Sequence, residues 1–158
     1  MSDLPFDQHS TWLLSLDVES IYTNIPQDAS LAVIEDIIQQ TDWPYNTPTH
    51  FVIACATLAL KNNYFQFENQ LYLQSHGTSM GSTFAPSVAG LYVHSVEERK
   101  ILTPQNPFFS NINIWKRYID DISIIWRGSE MDALAFLDWI NNLDPYLHFT
   151  HTLSQDHL

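Results

Sequence analysis

Basic residues are scarce: six Lys and Arg stand against 18 Asp and Glu, giving a formal net charge of −12. That balance repels nucleic acid unless metal ions and a separate basic surface intervene, and it argues against a stand-alone basic RNA-binding module. Cysteine is nearly absent. Cys55 is the only one, so the chain has no internal disulfide and a reducing compartment is permitted. It lies in the apolar run Phe51-Val52-Ile53-Ala54-Cys55-Ala56, the setting of a small buried packing residue. Long apolar runs are missing as well. The longest, Phe51 to Leu60, falls far short of a bilayer span, and the N-terminus lacks the basic-then-apolar order of a signal peptide, so the chain reads as soluble. Internal repeats and low-complexity tracts are missing, and the seven histidines show no metal-ligand spacing.

Apolar residues are plentiful, 45% of 158 with 13% aromatic, which suits one compact domain with a proper core. Met1 to Ser10 is a polar lead. Trp12-Leu13-Leu14-Ser15-Leu16 is a short apolar run ending at Asp17, the pattern of a buried strand with a carboxylate at its exit. After a turn around Asn24-Ile25-Pro26, Asp28 is placed to cap a helix whose apolar positions Leu31, Ile34, Ile37 and Ile38 recur as far as Gln40. Thr47-Pro48 opens a second helix through about Leu60, with threonine as cap and proline in the first turn. Tyr64 to Gln74 reads as a β-hairpin, with alternating Phe65 and Phe67 before Glu68-Asn69-Gln70 and Leu71 and Leu73 after it. A glycine-bearing loop, Gly77 to Ser82, leads into a helix from about Thr83 to Leu102, with Pro86 near its start and Arg99 and Lys100 suiting its C-terminal dipole. A further helix is expected from about Met131 to Asn142, with Leu134, Leu137, Trp139 and Ile140 inward, and then a last strand from Tyr146 to Leu153. Trp12, Trp115, Trp126 and Trp139 lie within apolar patterns and read as core.

The most informative stretch is Tyr118-Ile119-Asp120-Asp121, two adjacent carboxylates at the tip of a tight hairpin between Asn113–Tyr118 and Ile122–Trp126. Apolar β-formers flank the acids so closely that both charges are held beside a core. Desolvation and mutual repulsion penalise them there unless a cation offsets the charge, and a hard divalent metal is the simplest remedy. With the inserted helix and the first hairpin set aside, the order is strand, helix, hairpin, helix, strand. That predicts an α+β fold, a split βαβ or ferredoxin-like antiparallel sheet with helices on one face. In such a sheet the Asp17 strand and the acidic hairpin are neighbours, and three carboxylates converge.

Several separated stretches together resemble the reverse transcriptases, and within them the Penelope-like retroelement branch. They are Leu16-Asp17-Val18-Glu19-Ser20-Ile21-Tyr22-Thr23-Asn24-Ile25-Pro26, Gln74 to Ser82 with Ala85-Pro86, Tyr118-Ile119-Asp120-Asp121, and Phe149-Thr150. A lone Tyr-Ile-Asp-Asp is a weak signal; four stretches in register are not. The resemblance implies a polymerase palm that transfers a nucleotide from a dNTP to a primer 3′-hydroxyl, with two Mg²⁺ (or Mn²⁺) ions about 3.5–4 Å apart. It implies Asp17 and Asp120 as bridging metal ligands, Asp121 as the supporting acid and the Val18 carbonyl as a further ligand. By the same token Tyr22 packs beneath the incoming sugar and favours deoxynucleotides, and Gln74, Gly77, Met80 and Gly81 contact substrate. His148 stands where the family often carries a basic residue proposed to protonate the leaving pyrophosphate, although a histidine on a strand is more often merely exposed.

The implied partners are an RNA template, a DNA primer and dNTP, without a membrane, in an intracellular setting, nuclear or cytoplasmic. The family's basic fingers region and its thumb have no counterpart in these 158 residues. The expectation is therefore a palm fragment, inactive alone, that belongs with the fingers and thumb of a parent polypeptide. The rival expectation is a domesticated, non-catalytic remnant that serves as a protein-interaction module, which the acidic surface favours. A nucleotidyl cyclase fits less well, because that class carries a different glycine-acid signature in its central hairpin.

Overall fold

Alternating apolar residues make Thr11–Val18 (β1) a strand with one buried face: Leu14, Leu16 and Val18 are at most 2% exposed, while Ser15 and Asp17 between them are open to solvent. The computed structural model describes residues 11–41 and 47–155, so the polar lead Met1–Ser10 lies outside the described residues. These residues form two compact units. One combines the chain up to Glu19 with the chain from Glu97 onward, and the other is Ser20–Val96.

In the first unit, β1 joins Ile112–Tyr118 (β4), Asp121–Arg127 (β5) and Phe149–Ser154 (β6) in a four-stranded sheet of order β4-β5-β1-β6, with every neighbouring pair antiparallel. Counting only these strands, that is the split βαβ order expected from the sequence. The register pairs Leu14 with Ile124 and Leu16 with Ile122, so the buried faces of β1 and β5 coincide. Against that face packs Glu130–Asn141 (α5), with the Phe136 ring 5.0 Å from Trp126 and 5.8 Å from Phe108. Burying each such side chain contributes roughly 1.5–3 kcal/mol. The helix starts at a capping box: Ser129 Oγ accepts from the Asp132 amide at 3.1 Å, and Asp132 Oδ2 accepts from the Ser129 amide at 3.3 Å.

The inward stripe of α5 is Ala133, Phe136, Leu137 and Ile140, a true helical face. Leu134, expected inward, is 47% exposed because it lies one position round from that stripe, and Trp139 is half-buried against Phe136. The last strand begins at Phe149, not Tyr146; the chain first turns at Asp144, whose carboxylate accepts from the Tyr146 amide at 3.0 Å.

The second unit is mainly helical: a single turn Ile21–Asn24 (α1), then Gln27–Gln40 (α2), Thr49–Lys61 (α3) and Ala85–Val96 (α4), with a separate hairpin of Tyr64–Phe67 (β2) and Gln70–Leu73 (β3). Ile34, Ile38, Ala56, Leu60 and Val88 form its core. Two helix starts differ from expectation. Pro26 and Pro48, both in extended backbone, occupy the capping positions of α2 and α3. The stiff proline φ sets the entry angle, which leaves Thr47 outside α3 and Asp28 inside the first turn of α2, paired at 2.6 Å with Lys61. The expected helix from Thr83 to Leu102 is regular only over α4; Glu97–Ile101 is a wide π-helical turn in which the Leu102 amide donates to the Glu97 carbonyl at 2.7 Å. Cys55 is exposed rather than buried, because the inward side of α3 is defined by Ala56 and Leu60. The β2–β3 turn, Glu68-Asn69, has positive φ at both residues (47° and 61°), the backbone of a tight two-residue hairpin. All eight residues of β2 and β3 are exposed.

Candidate active site

The sheet of the first unit has two unlike faces. Helix α5 covers the one that carries Leu16, Ile122 and Trp126. The other presents Ser15 and Asp17 from β1, Asp121 and Ser123 from β5, and Thr150 and Thr152 from β6, all exposed. Small hydroxyl side chains leave this face flat and able to hydrogen-bond. A shallow depression lined by Ser15, Leu16, Asp17 and residues 150–152 opens on the Asp17 side.

Asp17 sits directly opposite Asp121 in the β1–β5 register, and opposite Thr150 in the β1–β6 register. Side chains opposed in this way stand on one face with Cβ atoms ~4.5–5.5 Å apart, so two like charges meet across the ladder. Asp120 occupies the turn that joins β4 to β5, whose closing pair is Tyr118 with Asp121. The Val18 amide donates to the Asp120 carbonyl at 3.1 Å, which ties the turn to the exit of β1. The Glu19 amide donates to the His148 carbonyl at 2.8 Å, which ties the same exit to the entry of β6. Desolvation and then the negative charges of Asp120, Asp121 and Glu19 raise the Asp17 pKa above its ordinary carboxylate value.

Ile119, the residue before Asp120, has φ +57°. For a β-branched side chain that backbone costs roughly 1–2 kcal/mol, and such strain concentrates at functional sites. Among the described residues no group of three or more His, Cys, Asp or Glu is arranged to hold a metal ion on its own. The carboxylates on this face are Asp17 and Asp121, and Asp120 lies in the adjoining turn.

In the second unit, Tyr22 is half-buried in α1 and its carbonyl accepts from the Thr78 amide at 2.6 Å and from Thr78 Oγ1 at 3.1 Å. Gly77, φ +68°, lies so close that a Cβ there would meet the carbonyl oxygens of Tyr22 and Thr23 at 2.7 Å. Glycine is required at this position for a local reason: the loop backbone rests on the backbone of α1. Gln27 holds the same loop from beneath, its Nε2 donating to the Gly77 and Gln74 carbonyls at 3.0 and 3.3 Å. The Gln74 amide side chain bends back on its own loop, donating to the His76 carbonyl at 2.9 Å. Met80 and Gly81 are exposed, and nothing lies within 4 Å of a Cβ placed on Gly81. The structure thus sets Asp17 opposite Asp121 and beside the Asp120 turn, and separately joins Tyr22 to the Gly77-Thr78 loop, where Met80 and Gly81 stand exposed. His148 is exposed at the entry to β6.

Sequence reading missed Gln27, Thr78, Glu97 and Arg117. The alternation of β4 carries a signal for Arg117, since Trp115 and Arg117 share a face with the core; a buried Glu97 has none.

No curated protein matches the sequence. Among solved structures, apo telomerase from Candida tropicalis superposes with a TM-score of 0.71 at 12% identity, covering 94% of this chain and 28% of that one. A form of the same apo telomerase truncated from its C-terminal domain gives 0.64 at 17% identity, with coverage of 91% and 31%. The Sicinivirus 3Dpol RNA-dependent RNA polymerase gives 0.52 at 14% identity, with coverage of 94% and 30%. These likenesses place the fold with the polymerase palms, an α+β arrangement of helices and antiparallel sheet, and the chain spans about a third of the length of each. The family model for reverse transcriptase (RNA-dependent DNA polymerase) matches residues 4–143, most of the sequence and both strands that bear the acids. The chain belongs to the reverse transcriptase family.

Proposed function

We propose that this chain is the palm of an RNA-directed DNA polymerase of a mobile element, of the Penelope-like kind, which extends a DNA primer on an RNA template with dNTPs. The observation that carries the proposal is the direct pairing of Asp17 with Asp121 beside the Asp120 turn, on a sheet face whose Ser15, Asp17, Asp121 and Ser123 are exposed.

The donor set suits a hard divalent cation. Desolvation and the negative charges of Asp120, Asp121 and Glu19 all disfavour an ionised Asp17, a balance that a bound cation would reverse, and Mg²⁺ needs only one or two protein carboxylates because water and phosphate fill the rest of its shell. Asp17 and Asp120 would hold the metal, with Asp121 in support and the Val18 carbonyl as an added donor. When bound, two such ions sharpen a 3′-hydroxyl as nucleophile and offset the charge on the transferred phosphate. The chain's own residues supply the positioning. The β1–β5 register fixes Asp17 against Asp121, and the Val18-to-Asp120 hydrogen bond keeps the turn in place. Tyr22 is the residue to exclude a ribose 2′-hydroxyl, held through its carbonyl by Thr78, and Gly77 acts on the substrate by seating that segment. Gln74, Met80 and Gly81 are assigned to template and nucleotide contacts.

The exposed apolar hairpin supports a working context that includes further segments of a parent polypeptide, and the palm alone is expected to be inactive. The same hairpin favours the second reading, a domesticated remnant that binds another protein. A Mn²⁺ titration of the chain with and without dNTP separates the two. The polymerase reading expects metal binding strengthened by nucleotide and lost in Asp17→Ala. Binding that ignores nucleotide, or that survives Asp17→Ala, sinks it and leaves the interaction module.

A further inference from the structure

Glu97 is 5% exposed, among the most buried charged residues described, and the wide turn Glu97–Ile101 aims it at the helix-covered face of the sheet. A buried carboxylate is costly unless every oxygen is matched. Here both are. Glu97 Oε1 accepts from Trp115 Nε1 and from Arg117 Nε, each at 2.8 Å, and Oε2 accepts from Arg117 Nη2 at 3.1 Å. The pairing is bidentate, the geometry that fixes a guanidinium in direction as well as place. The remaining arm of the fork, Arg117 Nη1, donates at 3.0 Å to the carbonyl of Ile119, the residue held at φ +57° immediately before Asp120. A chain of hydrogen bonds therefore runs from a π-helical turn, through one side chain, to the backbone that carries a candidate metal ligand.

We propose that Glu97 and Arg117 are positioning residues that brace the strained Ile119 turn and so aim the Asp120 carboxylate. Buried ion pairs add little net stability compared with apolar replacements, so a geometric role accounts for this one better than a stabilising role. Neither side chain is a metal ligand. What the bracing is for rests on the polymerase reading; that it exists does not.

The Val18 amide, which donates to the Asp120 carbonyl, reports the turn directly. Amide hydrogen exchange measured by NMR should be about tenfold faster at Val18 in Arg117→Met, matching the loss of ~1.4 kcal/mol from one charge-assisted bond. Leaving Glu97 unpaired also lowers global stability, which Leu14 and Ile124 at the sheet centre report, so the decisive comparison is Arg117→Lys, where those two should stay near their wild-type rates. Arg117→Lys retains a cation for Glu97 but cannot serve both acceptors as the fork does, so it should fold and still quicken Val18. Should Arg117→Met fail to fold, Arg117→Lys decides. Unchanged Val18 exchange in the lysine variant, or an equal rise at Val18, Leu14 and Ile124, reduces the pair to ordinary packing and overturns the proposal.

A Mn²⁺ titration by water-proton relaxation completes the test, with about tenfold weaker binding expected in Arg117→Met when the wild-type site is lost in Asp120→Ala. Quickened Val18 exchange with unaltered Mn²⁺ affinity overturns the aiming role. If the wild-type chain binds no Mn²⁺ through Asp120, the polymerase reading fails, and the exchange rates still decide whether the brace exists.

Discussion

Replacing Asp17 with Asn should make the metal-free protein more stable. Asp17 faces Asp121 across the ladder, and Asp120 and Glu19 add to the negative charge around it. Like charges directly opposed in a sheet cost roughly 0.2–1 kcal/mol. Because Asp17 is solvent-exposed, water screens each pair, and the sum over its neighbours comes to about 1 kcal/mol rather than several. For a chain of this size that is a rise in Tm of ~2–4 °C.

The pH dependence carries the same sign. The folded state raises the Asp17 pKa, so it binds the proton more tightly than the unfolded chain does, and this residue's contribution to stability falls as pH rises through the carboxylate range. Differential scanning calorimetry of wild type and Asp17→Asn in EDTA at pH 7 and near pH 4 should show the gap between them closing at the lower pH. Millimolar Mg²⁺ should close it at pH 7 by raising wild type alone. Equal or lower stability of Asp17→Asn at pH 7 without metal would refute the reasoning, since it would mean that the acids are not in unrelieved repulsion.

Gly77→Ala should destabilise by about 2–4 kcal/mol, combining left-handed backbone with a Cβ forced against two carbonyl oxygens; Gly81→Ala, in open space, should stay within ~0.5 kcal/mol, and urea denaturation of the pair separates a structural need from a mere preference for glycine. Ile119→Gly should gain about 1 kcal/mol by relieving the positive φ, read by the same denaturation, and a loss there would mean that the turn is not strained.

Much of the fold was legible because it depends on period and order. Leu14, Leu16 and Val18 alternate against Ile122, Ile124 and Trp126, and the strand-helix-hairpin-helix-strand order leaves β1 beside β5. Once those strands are neighbours, Asp17 meets Asp121 without further information. Helix starts were less legible because proline competes with a capping side chain there, Asp28 for the first and Thr47 for the second. At Pro26 and Pro48 the fixed backbone prevailed over side-chain capping. Cys55 and Leu134 were misplaced for one reason: in a helix rich in apolar residues, a shift of one position turns a side chain from core to surface, and composition does not say which stripe is chosen. Glu97 was invisible because its burial depends on a π-helical turn, which has no sequence signature of its own.

The β2–β3 hairpin has a practical corollary for anyone purifying this polypeptide. Among the described residues neither strand has a second neighbour, so both outer edges offer bare amides and carbonyls, and Glu68 is the sole charge from Tyr64 to Leu73. Such a segment, with no proline and aromatic side chains open to solvent, is a template for strand addition between molecules. Fibrous or gelled material should seed there first, and a lysine placed at Phe65 or Leu71 should delay it.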